Sequence, residues 1–141
     1  MVEQTDYEKI LFDRSVNLLR TNGILSIVFG SLGSFFGLLF MVLCAVAMMA
    51  SETGEDAAYM FLMGVGTLVL FILPHVYLII SGATLLRHPS PNVARTLVII
   101  TLVIGVFWNL VTLIFSILNL TQLRDYEVGY NKHIKHHKHE A

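Results

Sequence analysis

Three long stretches of the chain contain no Asp, Glu, Lys or Arg: residues 21–51, 57–86 and 96–123. Their apolar residues run continuously instead of alternating, so the pattern indicates helices and not the strands of a membrane β-barrel. About 20 apolar residues are enough to cross the bilayer hydrocarbon as an α-helix. The pattern therefore predicts an all-α integral membrane protein. Its three transmembrane helices are expected at residues 24–50, 57–86 and 93–123.

A short amphipathic helix is predicted ahead of the first span, at residues 5–22. Thr5 and Glu8 have the spacing of a capping box, and polar residues recur behind them at helical spacing. Such a helix lies along the membrane surface, with a cytosolic extension of the first span as the alternative. Asn22-Gly23 is the expected bend. The charged segment does not have the layout of a signal peptide.

Composition limits the chain to one membrane domain. Of the 141 residues, 55% are hydrophobic and 13% are charged, whereas soluble domains carry about 25% charged residues. The chain left outside the spans is too short for a second, soluble core. We therefore predict a single membrane domain over residues 1–123 and a basic, His-rich tail over residues 124–141. The expected partners are membrane lipid and other transmembrane subunits, and not nucleic acid.

Small residues line one face of the first predicted span. Gly33 and Gly37 form a GxxxG pair, and Ser26 and Gly30 extend the same face. Because lipid tails are as apolar as the side chains, transmembrane helices associate through close contact, which small residues allow. We expect this face to pack against the other spans, a second copy of the chain or a partner subunit.

A polar stripe follows one face of the third predicted span, at steps of three and four residues. It consists of Thr101, Gly105, Asn109, Thr112, Ser116 and Asn119. An amide in hydrocarbon is unfavourable unless it is paired, so the stripe should point into protein. Hydrogen bonding between helices is the favoured interpretation, and the wall of a hydrated pathway is the alternative.

His75 is the side chain within the spans that titrates near neutral pH, and it follows Pro74, which should kink the second span. Counted from the turn between the second and third spans, His75 and Asn109 lie at similar depth. We predict that they form a buried polar pair. A structural histidine is favoured, with haem or metal ligation or a proton relay as alternatives.

The tail carries a group of histidines that could bind a metal: His133, His136, His137 and His139. Imidazoles one helical turn apart can chelate Zn²⁺, Cu²⁺ or Ni²⁺. Three interleaved lysines repel a cation, so a basic headgroup-associated or disordered tail is favoured, with partner docking and metal binding as alternatives.

Orientation follows the excess of Lys and Arg on the cytoplasmic side. With three spans, the N-terminal segment and the second turn share one side and carry five such residues, while the first turn and the tail carry four. The five lie closer to the ends of the spans, where the rule is strongest. We therefore expect the N-terminus in the cytoplasm and the C-terminus on the opposite side.

These features predict a non-catalytic accessory or assembly subunit of a larger membrane complex, held by helix–helix packing. A hetero-oligomer is favoured over a homo-oligomer. One alternative is a small homo-oligomeric channel, transporter or holin-like pore former. Another is a metal-binding membrane protein that uses His75 or the tail. We expect no cofactor and no enzymatic activity, because the spans offer one histidine and no acid.

Overall fold

The computed structural model of the protein describes residues 2–133, with side chains described for residues 6–132. This part of the chain is helical and contains no strand. Its helices are α1 (Val2–Met49), α2 (Gly54–Thr67), α3 (Leu73–Leu85), α4 (Pro91–Trp108) and α5 (Leu110–His133). The stretches Asp6–Met49, Gly54–Leu85 and Pro91–Trp108 are each long and apolar enough to cross a membrane. The prediction of an all-α, multi-pass membrane protein is confirmed.

α1 is one continuous helix of 48 residues, about 72 Å long at 1.5 Å per residue. Residues 5–22 are helical, as predicted, and run into the first span without the bend expected at Asn22-Gly23. Packing explains the difference. Asn22 is fully buried, and a methyl group on Gly23 would lie 2.8 Å from the carbonyl oxygen of Gly82. Close contact with α3 therefore outweighs the local tendency of Asn-Gly to break a helix.

Thr53 begins α2 in the acidic turn after α1. Its hydroxyl accepts the backbone N–H of Asp56 at 3.2 Å and donates to the carboxylate of the same residue at 2.5 Å. This pair fixes the start of the second span, because an N-cap oxygen satisfies a donor that has no partner within the helix. The helix therefore begins at Gly54, three residues before the predicted start of the span at residue 57.

A π-helical turn (Leu68–Ile72) joins α2 to α3 directly ahead of Pro74. In this turn the N–H of Leu73 bonds to the carbonyl of Leu68, five residues earlier. Proline has no N–H to offer the carbonyl four residues before it, so a regular α-helix would lose a hydrogen bond here. The wider turn is the local response to that loss. A π-helical turn therefore precedes Pro74, at the place where the sequence predicts a kink.

The third predicted span, residues 93–123, is not one helix, and the prediction is corrected here. α4 ends at Trp108, Asn109 has an extended backbone (φ −156°, ψ 104°), and α5 begins at Leu110. The physical cause is local. The side-chain oxygen of Asn109 accepts the N–H groups of Val111 and Thr112, so Asn109 is the N-cap of a new helix and not the middle of an old one.

The chain forms two compact units, which we describe separately. The first unit contains the chain up to Ser26 and from Ser81 onward, and the second contains Ile27–Ile80. The core of the first unit is apolar and is built from α1, the end of α3, α4 and α5. Its buried residues are Phe12, Leu19, Leu85, Ala94, Val98, Leu123 and Tyr126.

α4 and α5 pack against each other in the first unit as an antiparallel hairpin. The phenol of Tyr126 donates to the carbonyl of Pro89, 37 positions earlier, at 2.6 Å. The ring of Tyr126 stacks on Phe12 with centroids 6.0 Å apart. Phe12 in turn lies over Gly129, where no side chain would fit. These contacts bring the start of α4, the end of α5 and the start of α1 together.

Candidate functional site

The predicted glycine face of α1 is occupied, in the second unit, by the chain's own α3 and π-helical turn. A methyl group on Gly30 would lie 2.6 Å from the carbonyl oxygen of His75, and one on Gly37 would lie 2.7 Å from Ile72. On Gly33 it would overlap the His75 ring. These glycines therefore allow two helices of one chain to approach closely. Ser26, the remaining member of the predicted face, is buried in the first unit.

His75 is fixed on both edges of its ring. Nδ1 lies 2.7 Å from the carbonyl oxygen of Phe71, which can only accept, so the proton is assigned to Nδ1. The other edge, with Nε2, lies against Gly33. The Phe71 ring packs on the imidazole with centroids 4.5 Å apart. With 7% of the residue exposed, this arrangement is that of a structural histidine.

Asn109 uses its side chain within its own turn. Its oxygen accepts from Val111 at 3.0 Å and from Thr112 at 3.3 Å, both at the start of α5. The predicted pairing of His75 with Asn109 stays a prediction, because the two residues belong to different units. Each of them has hydrogen-bond partners close in sequence.

The rest of the predicted polar stripe is buried in the first unit, divided between α4 and α5. Thr101, Thr112 and Ser116 are fully buried, and Asn119 is 2% exposed. Gly105 lies against the backbone of Leu113 on the other side of the turn, at 2.8 Å from a methyl group placed on it. Asn119 donates to the carbonyl of Phe115, but its oxygen and the hydroxyls of the other three have no hydrogen-bond partner in the structure.

Two further side chains of the first unit have buried, unpartnered polar atoms and were not found from the sequence. Asn22 is fully buried with both amide atoms unpartnered, and the side-chain oxygen of Gln122 is also unpartnered. Asn22 stands four residues before Ser26 and eight before Gly30. That regular spacing could have placed it on the small-residue face, had Asn22-Gly23 not been interpreted as a bend.

The second unit leaves part of α2 open. None of the residues of α2 is buried. A cleft of ≈ 150 Å³ separates α2 from the end of α1, and its walls are rich in methionine: Met41, Met48 and Met60. A second cleft, of ≈ 330 Å³, lies between Phe36, Phe40 and Phe71. The walls of both clefts are mainly apolar.

Two glycines of α2 have open space beside them: Gly54, at the first position of the helix, and Gly66, in the helix interior. A methyl group built on either would meet no atom within 4 Å, whereas one on Gly64 would lie 3.8 Å from Cys44. Tyr59 and Leu62 stand seven and four residues before Gly66 and are 60% and 68% exposed. Tyr59, Leu62 and Gly66 therefore share one open face, which we call the α2 face.

The predicted metal ligands of the tail fall largely outside the described residues. His133 ends α5, but its side chain is not among those described, and His136, His137 and His139 lie beyond the described chain. Within the described part, no group of three or more His, Cys, Asp or Glu side chains could hold a metal ion.

The chain thus has a closely packed contact around His75, a buried polar stripe and an open α2 face. The chain was compared with protein-family models, with curated proteins and with solved structures. None of the three comparisons gives a match.

Proposed function

We propose that the protein is a non-catalytic accessory or assembly subunit of a larger membrane complex, and that it binds a transmembrane helix of another subunit through the α2 face. The observation that carries the proposal is the unused space at Gly66. The glycines at positions 30, 33 and 37 are each accounted for by contacts within the chain, whereas Gly66 is not.

The contribution of a glycine in a membrane helix depends on whether another helix packs against it. In a helix interior, Gly is less favourable than Ala by about 1 kcal/mol. A lipid-facing glycine brings no packing in return, but between two helices it lets their backbones approach and gain contact. Gly66, flanked by the exposed Leu62 and Leu70, fits the second situation.

The clefts beside α2 lie away from the α2 face, because their walls contain none of Tyr59, Leu62 and Gly66. The methionine-lined cleft belongs to the packing of α2 on α1, where flexible methionine side chains fill irregular space. Lipid contact on the remaining apolar surface is expected for any membrane helix and does not compete with this assignment.

The first alternative, a homo-oligomeric pore or transporter, would use the polar stripe as the wall of a path. Thr101, Thr112 and Ser116 are buried inside one chain and do not face a lumen shared between chains. Their unpartnered hydroxyls are the observation in favour of this alternative, because water inside the first unit would satisfy them. The second alternative is metal binding at His75. The Nε2 edge of its ring lies against Gly33, so little space is left there for a metal ion.

We propose the N-terminus for the cytoplasmic side. Lys9, Arg14 and Arg20 precede the first span, whereas the turn after it holds Glu52, Glu55 and Asp56 and no basic residue. Because Lys and Arg are in excess on the cytoplasmic side of membrane proteins, this difference favours a cytoplasmic N-terminus.

Photo-crosslinking in native membranes tests the proposal. A photoreactive amino acid replaces Leu62 in the full chain, and irradiation is followed by mass identification of the product. We expect one discrete hetero-adduct with a transmembrane protein, which a second change, Gly66→Leu, removes. Ala83→Leu, at an exposed position of α3, is the matched control and should leave the adduct unchanged.

Two outcomes would overturn the assignment. Labelling of lipid alone would show that the α2 face has no protein partner. An adduct of twice the monomer mass, together with ion conductance of the purified protein in liposomes, would instead establish the pore alternative.

A further inference from the structure

We propose that α4 and α5 form a hairpin that enters the membrane and returns to the side it left, so that the start of α1 and the end of α5 lie on the same side. This placement would replace the opposite-side arrangement expected from three separate spans. It goes beyond the assembly role and stands whether or not a partner binds the α2 face.

Pro89 and Tyr126, 37 positions apart in the chain, are in contact. If residues 89 to 126 formed one continuous helix, its ends would be about 55 Å apart. In the first unit, the phenol oxygen of Tyr126 lies instead 2.6 Å from the carbonyl oxygen of Pro89. The chain therefore reverses between them, and the reversal is at Asn109, where α4 ends and the backbone is extended.

The end of α5 also contacts the start of α1. The ammonium group of Lys132, at the end of α5, lies 2.7 Å from the carboxylate of Glu8, near the start of α1. One turn further along α1, Phe12 contacts Tyr126 and Gly129. The hydrocarbon core of a bilayer is about 30 Å thick. Residues on opposite sides of that core could not make these contacts.

The distribution of charge provides an independent argument. With the hairpin, the N-terminal part of α1, the turn before α4 with the first residues of α4, and the end of α5 share one side, and every Lys and Arg of the described residues belongs to these regions. The opposite side has the acidic turn after α1, with Glu52, Glu55 and Asp56. Three separate spans left a margin of one basic residue, so the hairpin agrees far better with the rule that basic residues stay in the cytoplasm.

The tip of the hairpin is suited to lipid. Phe107 and Leu110, on either side of the reversal, are 72% and 68% exposed, and such side chains are favourable in hydrocarbon. A break in a helix within lipid requires that its backbone groups find partners. Asn109 provides them: its N–H bonds to Gly105, its carbonyl accepts from Leu113, and its side chain caps α5.

Cysteine labelling of the full chain in sealed membranes tests the topology. In a Cys44→Ala background, single cysteines replace three exposed residues: Asp6, Glu55 and Asn131. A membrane-impermeant maleimide is added before or after permeabilisation. We expect Asp6→Cys and Asn131→Cys to be labelled from the same side and Glu55→Cys from the other, with at least a tenfold difference between the two conditions.

Labelling of Asn131→Cys from the same side as Glu55→Cys would overturn the proposal. A single cysteine variant could insert differently from the wild type, so a second measurement tests the same contact directly. The double variant Glu8→Cys with Lys132→Cys should form an intramolecular cross-link with a short bifunctional thiol reagent, since these side chains touch. Failure of this cross-link in protein that inserts normally would also count against the hairpin.

Discussion

The imidazole ring of His75 occupies the space that any side chain on Gly33 would need. The contact joins α3 to α1 in the second unit, and the hydrogen bond from Nδ1 to Phe71 holds the ring in place. A histidine within a span is often a functional group. Here its two edges are used by a carbonyl and by a glycine, so we interpret it as part of the packing between two helices.

This contact predicts opposite effects for the same substitution at two glycines. Gly33→Ala adds a methyl group that overlaps the His75 ring, whereas Gly66→Ala adds it in open space. Replacing Gly by Ala in a helix gains about 1 kcal/mol, and overpacking costs about 1–3 kcal/mol. We expect Gly66→Ala to be neutral or stabilising and Gly33→Ala to be less stable than it by about 1–3 kcal/mol. Thermal unfolding in detergent, followed by circular dichroism, measures the difference.

The two glycine variants control for each other, because they carry the same change in helix propensity. Equal stability of both would show that the His75 ring moves aside at no cost. A loss of stability in Gly66→Ala would show instead that position 66 is packed within the chain.

The sequence was sufficient to predict the membrane class and most of the helical content. Uncharged runs of this length have few alternatives in lipid, so the second span was found nearly at both ends, whereas the first was found only near its C-terminal end, at Met49. The third run was misassigned because hydropathy does not distinguish one helix from two. The reversal depends on one residue, Asn109, whose side chain caps α5. An Asn followed by apolar residues within such a run is a signal for a cap that could have been noticed.

The candidate site was harder to predict, because spacing within one helix does not identify the surface that fills the facing space. Gly33 and Gly66 are both glycines in apolar helices, yet one is covered by His75 and the other is open. The contact between Glu8 and Lys132 joins positions 124 residues apart. Nothing local in the sequence indicates such a contact, since it depends on the hairpin bringing the chain back.

Tyr126→Phe should destabilise the first unit. The variant keeps the stacking on Phe12 and removes the hydrogen bond to the Pro89 carbonyl. Loss of such a bond, with its acceptor left unpaired, costs about 1–3 kcal/mol. Unfolding in detergent should show this decrease. Tyr7→Phe, at a residue that is 62% exposed, is the control and should change stability by less than about 0.5 kcal/mol. Equal stability of the two variants would contradict the role given to the phenol.

Alkaline pH should weaken the same contact. Burial, with a contribution from Tyr130, raises the pKa of Tyr126 to about 12, whereas a tyrosine in the unfolded chain ionises near 10. The unfolded state then releases a proton that the folded state retains, so the contribution to stability is complete below pH 10 and is lost as pH rises toward 12. The tyrosinate absorbance of the wild type minus that of Tyr126→Phe should titrate with a midpoint near 12. A midpoint near 10 would contradict the burial of the phenol.

Replacing Asn109 should change the topology of the C-terminal half. Asn109→Leu removes the cap of α5 and leaves the two arms of the hairpin as one uncharged run, which favours a single straight span. Loss of an N-cap costs about 1 kcal/mol, which corresponds to roughly a fivefold change in the ratio of the two arrangements. We therefore expect a fraction of Asn109→Leu molecules to expose Asn131→Cys on the side opposite to Asp6→Cys, as measured by impermeant maleimide.

Asn109→Ser keeps a capping oxygen and should retain the hairpin. Asn119→Leu removes an amide from the interior of α5 without touching the cap, so it controls for the loss of polarity alone. If all three variants label like the wild type, the reversal is maintained by the contacts between α4 and α5 and not by the cap at Asn109.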